Sequence, residues 1–197
     1  MEPEGVIAVL RGDDASRVEV AARACVAGGI RFLEVTFTVP DAAQLIERLS
    51  GFEAAVVGAG TVTELEQAEA ALAAGARFLV SPACLSGLAA RAKAAGVPCL
   101  LGAMTPTEVL AAWKAGATQV KVFPAGRLGG PRYLRDLAGP YPQIKLSPSG
   151  GITIDDLAGY RLSNVASVGL GSELTPPHAS ADEIRERARS AVVAMRG

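Results

Sequence analysis

The sequence holds one histidine, His178, in 197 residues. A zinc site built on several histidines is therefore excluded, as is the two-histidine helix of metalloproteases, and neither a metal nor a cofactor is expected. Aromatic residues make up 5% of the chain, too few for the stacking platforms of single-strand nucleic-acid binders. An excess of one charge is also lacking. Nineteen basic and twenty acidic residues leave a net charge of −1, and no basic block stands out, so no nucleic-acid partner is expected. No run approaches the ~18 uninterrupted apolar residues of a membrane helix, and no membrane partner is expected. The opening MEPEGVIAVLRG has the form of neither a signal nor a transit peptide. Cys25, Cys84 and Cys99 are an odd number in a chain too long to need disulfide staples, and free thiols in a reducing cytosol follow. None has a histidine nearby in sequence to activate it.

What is present is apolar and repetitive. Half the residues are hydrophobic, enough for a core that buries about 70% of the unfolded chain's surface. Short apolar runs predict strands over Val6–Leu10, Phe32–Thr36, Ala54–Gly58, Phe78–Ser81, Pro98–Leu101, Gln119–Phe123, Gln143–Leu146 and Ala166–Leu170. Alanine-rich stretches between them predict helices over Ala15–Ala27, Ala42–Leu49, Glu64–Ala74, Leu85–Ala95, Thr107–Ala115, Arg132–Leu137 and Asp155–Leu162, with a last one over Ala181–Met195. Four joints repeat a glycine between helix and strand, at Gly28-Gly29, Gly75, Gly96 and Gly116, where a left-handed residue stops a helix. Near-continuous apolar strands suit a parallel sheet covered on both faces. Eight such units close into a single (β/α)8 TIM barrel spanning 1–197, smaller than the usual ~250 residues and so with minimal loops. The competing fold is an open doubly wound sheet, but G-x-G-x-x-G is missing after the first strand.

In a barrel, chemistry sits at the C-terminal ends of the strands, so polar residues there are the candidates. Lys121 lies between two valines, one of only four lysines in the chain. Burial disfavours an ammonium ion, and a neutral amine can attack a ketone to form a Schiff base. An edge-strand lysine reaching solvent is the plainer alternative. Glu34 alternates with Leu33 and Val35, so it shares a strand face with Phe32 and Thr36. A carboxylate there is either a proton shuttle or half of a structural ion pair. Arg11 ends the first strand and could hold a carboxylate with its fork, or be a surface residue. Ser149-Gly150-Gly151 follows the seventh strand and Gly171-Ser172 the eighth, where many barrels hold phosphate on backbone N–H groups. Gly58-Ala59-Gly60-Thr61 follows the third strand, and Ser81-Pro82 ends the fourth. His178 reads as a loop residue and Trp113 as helix packing.

Taken in order, these motifs resemble the 2-keto-3-deoxy-6-phosphogluconate (KDPG) and 4-hydroxy-2-oxoglutarate (KHG) aldolase family, with its phosphogalactonate branch. The resemblance runs from Val6 to about Leu174. It rests on Leu33-Glu34-Val35-Thr36, Gly58-Ala59-Gly60-Thr61-Val62, Val80-Ser81-Pro82, Met104-Thr105-Pro106-Thr107-Glu108, Lys121-Val122-Phe123-Pro124-Ala125, Pro148-Ser149-Gly150-Gly151-Ile152 and Gly169-Leu170-Gly171-Ser172. It implies that Lys121 is the Schiff-base lysine and Glu34 the proton shuttle. Arg11, Thr36, Thr61, Pro82, Phe123, Ser149, Gly150, Gly151, Gly171 and Ser172 would bind the substrate, with Thr61 holding the pyruvyl part and Gly150, Gly151 and Ser172 the phosphate. A metal-free cytoplasmic homotrimer is also implied. It would cleave a small 2-keto acid, phosphorylated or not, to pyruvate plus glyceraldehyde 3-phosphate or glyoxylate. The chain departs from the family at Thr38, where many members carry arginine, and at Ser149, where many carry threonine. Gly171-Ser172-Glu173-Leu174 is as close to the galactonate branch as to the gluconate branch. Two rivals remain on the residues alone: a phosphate-binding isomerase or synthase without an imine, and a non-catalytic assembly protein on a barrel scaffold.

Overall fold

The computed structural model describes residues 1–196. Strands and helices alternate along the chain. They run β1 Gly5–Leu10, α1 Ala15–Ala27, β2 Phe32–Thr36, α2 Ala42–Ser50, β3 Val56–Gly60, α3 Leu65–Ala73, β4 Leu79–Val80 and α4 Leu88–Ala94. The second half continues β5 Cys99–Ala103, α5 Pro106–Lys114, β6 Gln119–Val122, α6 Gly130–Ala138, β7 Leu146–Pro148, β8 Ser167–Leu170 and α7 Ala181–Arg196. All eight strands are parallel, in the order β7-β6-β5-β4-β3-β2-β1-β8. The two edges of that order meet. Parallel bridges join Leu146 to Val165 and Ser149 to Gly169, and the Leu146 N–H donates to the Asn164 carbonyl at 2.8 Å. The sheet is thus a closed eight-stranded barrel, and the open doubly wound alternative is set aside.

The glycine joints behave as their spacing predicts. Gly29, Gly75, Gly96 and Gly116 all have positive φ. The N–H of the following residue reaches back five positions, for example Ala76 to the Ala71 carbonyl at 2.9 Å and Val97 to Ala92 at 2.9 Å. This pattern satisfies the last helical carbonyls and turns the chain straight into the next strand. Short joints of this kind let a barrel close in fewer residues than usual.

Several predicted elements shift. The third strand, expected at Ala54–Gly58, lies at Val56–Gly60. Ala54 lies within a turn in which the Ala55 N–H bonds the Phe52 carbonyl at 3.0 Å, and Gly60, expected beyond the strand, is its last residue. The seventh strand, expected at Gln143–Leu146, lies at Leu146–Pro148. The seventh helix, expected over Asp155–Leu162, contracts to a 3-10 turn at Leu157–Tyr160. Gly159 sits in that turn, where an added side chain would press on the Pro131 ring at 2.9 Å.

Two cores result. One lies between strands and helices and takes Ala8, Leu10, Leu33, Val35, Val57, Leu101, Val120 and Val168 from the outward strand faces. The other fills the lower barrel interior with Ile7, Phe32, Val56, Phe78, Val80 and Leu100, where the Phe32 and Phe78 rings meet edge to face at 6.3 Å. Beside it, at the N-terminal ends of β6, β7 and β8, lie buried Gln119, Ser147 and Ser167. Ser167 donates to Gln119 Oε1 at 2.7 Å and shares a bond with Ser147 at 2.8 Å. Gln119 Nε2 donates to the Pro3 carbonyl at 2.6 Å. The floor of the barrel is therefore closed by packed rings and by the N-terminal segment.

Candidate active site

Above that floor the interior turns from apolar to polar. Glu34 in β2 and Lys121 in β6 point inward from opposite sides of the barrel, with Lys121 Nζ 3.2 Å from Glu34 Oε1. Their side chains are 2% and 8% exposed. An unpaired charge at either position would be costly, and pairing offsets part of that cost. The pair answers the edge-strand alternative for Lys121, because β6 is hydrogen-bonded on both sides, to β5 and β7.

Neighbouring strands carry small residues here. Lys121 lies in register with Gly102 and Ser147, and Glu34 with Gly58 and Val9. Gly60 must lack a side chain, because a Cβ on it would collide with the Glu34 carboxylate. Gly102 has no space for one either, since the Pro82 carbonyl fills its inner side. Glycines here let the Glu34 carboxylate and the Pro82 carbonyl pack where side chains would otherwise stand. The Phe123 side chain is 41% exposed and its ring centroid lies 5.8 Å from Lys121 Nζ, so it forms a wall between the amine and solvent.

A second polar group lies at the mouth. Arg11 Nη1 donates to Thr38 Oγ1 at 2.9 Å and Nη2 to Thr61 Oγ1 at 3.1 Å. Thr36, fully buried, donates to the Leu10 carbonyl at 2.9 Å and shares a 2.9 Å bond with Thr38. Thr61 takes φ +53°, a genuine outlier for a β-branched residue. The structure therefore brings Arg11, Thr36, Thr38 and Thr61 together.

The glycine turns after β7 and β8 are neighbours. Ser149 bridges Gly169 and donates to its carbonyl at 3.1 Å. Gly150 and Gly151 have φ of +87° and +70°, and neither N–H bonds within the described residues. Ser172 is exposed next to the Gly171 carbonyl, which accepts from the Leu174 N–H at 2.9 Å. Sequence reasoning missed Arg127. It lies in the 3-10 turn Ala125–Leu128, tied to the glycine turn by Ala125 N–H to Ser149 at 2.8 Å and Gly126 N–H to Gly150 at 2.9 Å. Its Nε is 3.4 Å from where a Gly151 Cβ would be. Nothing in the local sequence links residue 127 to 151; only barrel closure does.

The remaining groups lie elsewhere. Cys25 and Cys99 are buried, and burial pushes each thiol up to about 12, which makes them poor nucleophiles at neutral pH. Cys84 is exposed. No group of three or more His, Cys, Asp or Glu side chains comes together for a metal among the described residues. No helix is long and apolar enough to cross a membrane among the described residues. A cleft of about 630 Å³ runs between α1 and the loop before α7. His178 and Arg11 are on its wall, but Lys121 and Glu34 are not.

An amine and a carboxylate sealed together inside a parallel barrel define a class: lyases that hold a keto acid as a lysine imine while a carbon–carbon bond is cut. Residues 1–188 match the family model described as KDPG and KHG aldolase, and the chain belongs to that family, which acts on small-molecule keto acids. A 2-dehydro-3-deoxy-phosphogluconate aldolase of Pseudoalteromonas atlantica is 35% identical over 98% of this chain and 92% of its own. A KDPG aldolase of Legionella pneumophila, with pyruvate captured as a covalent carbinolamine intermediate, superposes with a TM-score of 0.86 at 34% identity, covering 95% and 94% of the two chains. The native KDPGal structure gives a TM-score of 0.91 at 30% identity, covering 100% and 96%.

Proposed function

We propose that Lys121 is the imine-forming nucleophile and Glu34 the general acid and base in the cleavage of 2-dehydro-3-deoxy-6-phosphogluconate, 4-hydroxy-2-oxoglutarate, or both. The observation that carries this is the buried 3.2 Å contact between Lys121 Nζ and Glu34 Oε1. The neutral amine adds to the C2 ketone, and the resulting carbinolamine loses water to give a protonated imine. Glu34 takes the proton of the C4 hydroxyl, directly or through a water. The C3–C4 bond breaks, its electron pair enters the C2–C3 enamine and the imine nitrogen is neutralised. The aldehyde departs, C3 gains a proton, and water returns pyruvate and free Lys121. A single carboxylate serves throughout because each transfer leaves it ready for the next.

The carboxylate of the substrate belongs at Arg11 and Thr61, and a terminal phosphate at Gly150, Gly151 and Ser172. The free N–H groups of the two glycines support the phosphate assignment, and Arg127 beside them adds charge. Phosphogalactonate cleavage is the second reading, favoured by the TM-score of 0.91 to the KDPGal chain. One catalytic unit spanning the chain, homotrimeric assembly and a cytoplasmic location complete the proposal. Support for assembly comes from a designed cage built by fusing symmetric oligomeric domains, whose chain superposes at a TM-score of 0.91.

Borohydride with pyruvate tests the central claim. Intact mass should rise by one reduced pyruvyl group, and peptide mapping should place it on Lys121. An adduct on Lys93, Lys114 or Lys145, or no adduct, would remove the assignment. Lys121→Arg should abolish both trapping and turnover, since a guanidinium stays protonated.

A further inference from the structure

The bonds around Arg11 have a direction that the chemistry of their ends fixes. A guanidinium can only donate, and a backbone carbonyl can only accept. Thr36 spends its one hydroxyl proton on the Leu10 carbonyl. The 2.9 Å contact between Thr36 and Thr38 must then use the Thr38 proton, so Thr38 donates to Thr36. Thr38 Oγ1 in turn accepts from Arg11 Nη1. The chain runs one way: Arg11 to Thr38 to Thr36 to the Leu10 carbonyl. Thr61 accepts from Nη2, which leaves its own proton free for a ligand.

Each link depends on the next. Thr36 is fully buried and fixed by the β1 backbone, so it is a rigid anchor. Thr38 is exposed and would rotate freely without it. With both in place, the two terminal nitrogens of Arg11 are held on two hydroxyls from different loops. Two of its five N–H donors are spent and three remain, enough for the two-pronged grip that a carboxylate takes. Fixing that fork beforehand saves the ordering cost a free arginine would meet on binding.

We propose that Thr38 is a positioning residue for carboxylate recognition: it aims Arg11 through a one-way hydrogen-bond chain anchored on Thr36. This rests on the reading that Arg11 takes the substrate carboxylate, and the test separates the two. The measurement is the half-saturating concentration for borohydride trapping, with pyruvate and with its methyl ester, which lacks the anion. Wild type should favour pyruvate. Thr38→Val keeps the shape and removes the hydroxyl. It should raise the half-saturating pyruvate concentration by about tenfold, the range of a hydrogen bond to a charged group, and leave the ester and the limiting trapping rate little changed. Thr38→Ser, which restores a donor and acceptor, should recover the preference. Arg11→Met should abolish it. If Arg11→Met loses the preference while Thr38→Val keeps it, the positioning role is wrong and the Arg11 reading stands. If Arg11→Met keeps the preference, the Arg11 reading falls and the chain's role falls with it. Loss in both Thr38→Val and Thr38→Ser would also overturn the proposal, since size rather than the hydroxyl would then matter.

Discussion

Thr61 is held where a β-branched residue is rarely found, at φ +53°, a conformation that costs on the order of 1–3 kcal/mol. Its hydroxyl accepts from Arg11 Nη2 at 3.1 Å, so the strained backbone presents an oxygen that an unstrained one would turn away. Thr61→Gly separates the two effects. Glycine takes positive φ without penalty, so the variant should melt no lower than wild type. It should also bind pyruvate about tenfold more weakly, having lost a charged hydrogen bond. Thermal denaturation alongside borohydride trapping checks this, and a variant both less stable and undiminished in binding would contradict it. Lys121, Glu34, Arg11 and Thr61 were legible from sequence because each is a polar residue within or just after an apolar run. The placement of Thr38 beside Arg11 and of Arg127 beside Gly151 was not, because it depends on which loop faces which, and no local pattern carries that.

Strand β3 shows how a local rule misleads. Gly58 and Gly60 are poor strand formers taken alone, and the sequence pattern ends the strand at Gly58. The barrel places both on its crowded inner face, where the space beside Gly58 is filled by the Phe78 ring and that beside Gly60 by the Glu34 carboxylate. Tertiary crowding therefore overrides propensity. Helix α1 and strand β2, by contrast, match their predicted bounds of Ala15–Ala27 and Phe32–Thr36. Asp14 caps the helix with a 2.8 Å bond to the Ser16 N–H, and alternation over Phe32–Thr36 is unbroken by glycine or proline. Gly60→Ala should displace the Glu34 carboxylate and loosen its contact with Lys121, while the lysine itself stays on β6. Cleavage should then fall by roughly tenfold to a hundredfold, the range for an ångström-sized misplacement. Pyruvate trapping on Lys121 should fall far less. Equal losses in single-turnover cleavage and in trapping would mean that Gly60 shapes the whole chamber rather than one side chain.

The barrel as a whole was legible because eight strands alternating with helical stretches, four joined by a glycine, leave few other ways to bury both faces of each strand. Its asymmetry was less so. The lower interior is packed with Ile7, Phe32, Val56, Phe78, Val80 and Leu100 and capped where Gln119 reaches the Pro3 carbonyl. Those six residues look like any other apolar positions until the register sorts inward from outward.

That closed floor turns the enzyme into a blind alley. Traffic enters and leaves past Phe123 and the loops after the strands, and whatever is bonded to Lys121 stands at the dead end. In the proposed reaction the pyruvyl fragment stays bonded to Lys121 while the aldehyde, once the C3–C4 bond is cut, is held by no bond. The aldehyde must therefore back out first and pyruvate last, and in synthesis the queue reverses. Product inhibition records the order. Pyruvate should compete directly with the keto acid for the empty enzyme, whereas the aldehyde, meeting an enzyme already loaded, should inhibit noncompetitively. The opposite assignment would mean a back exit through the floor, which Pro3 and the paired Phe rings close in this fold.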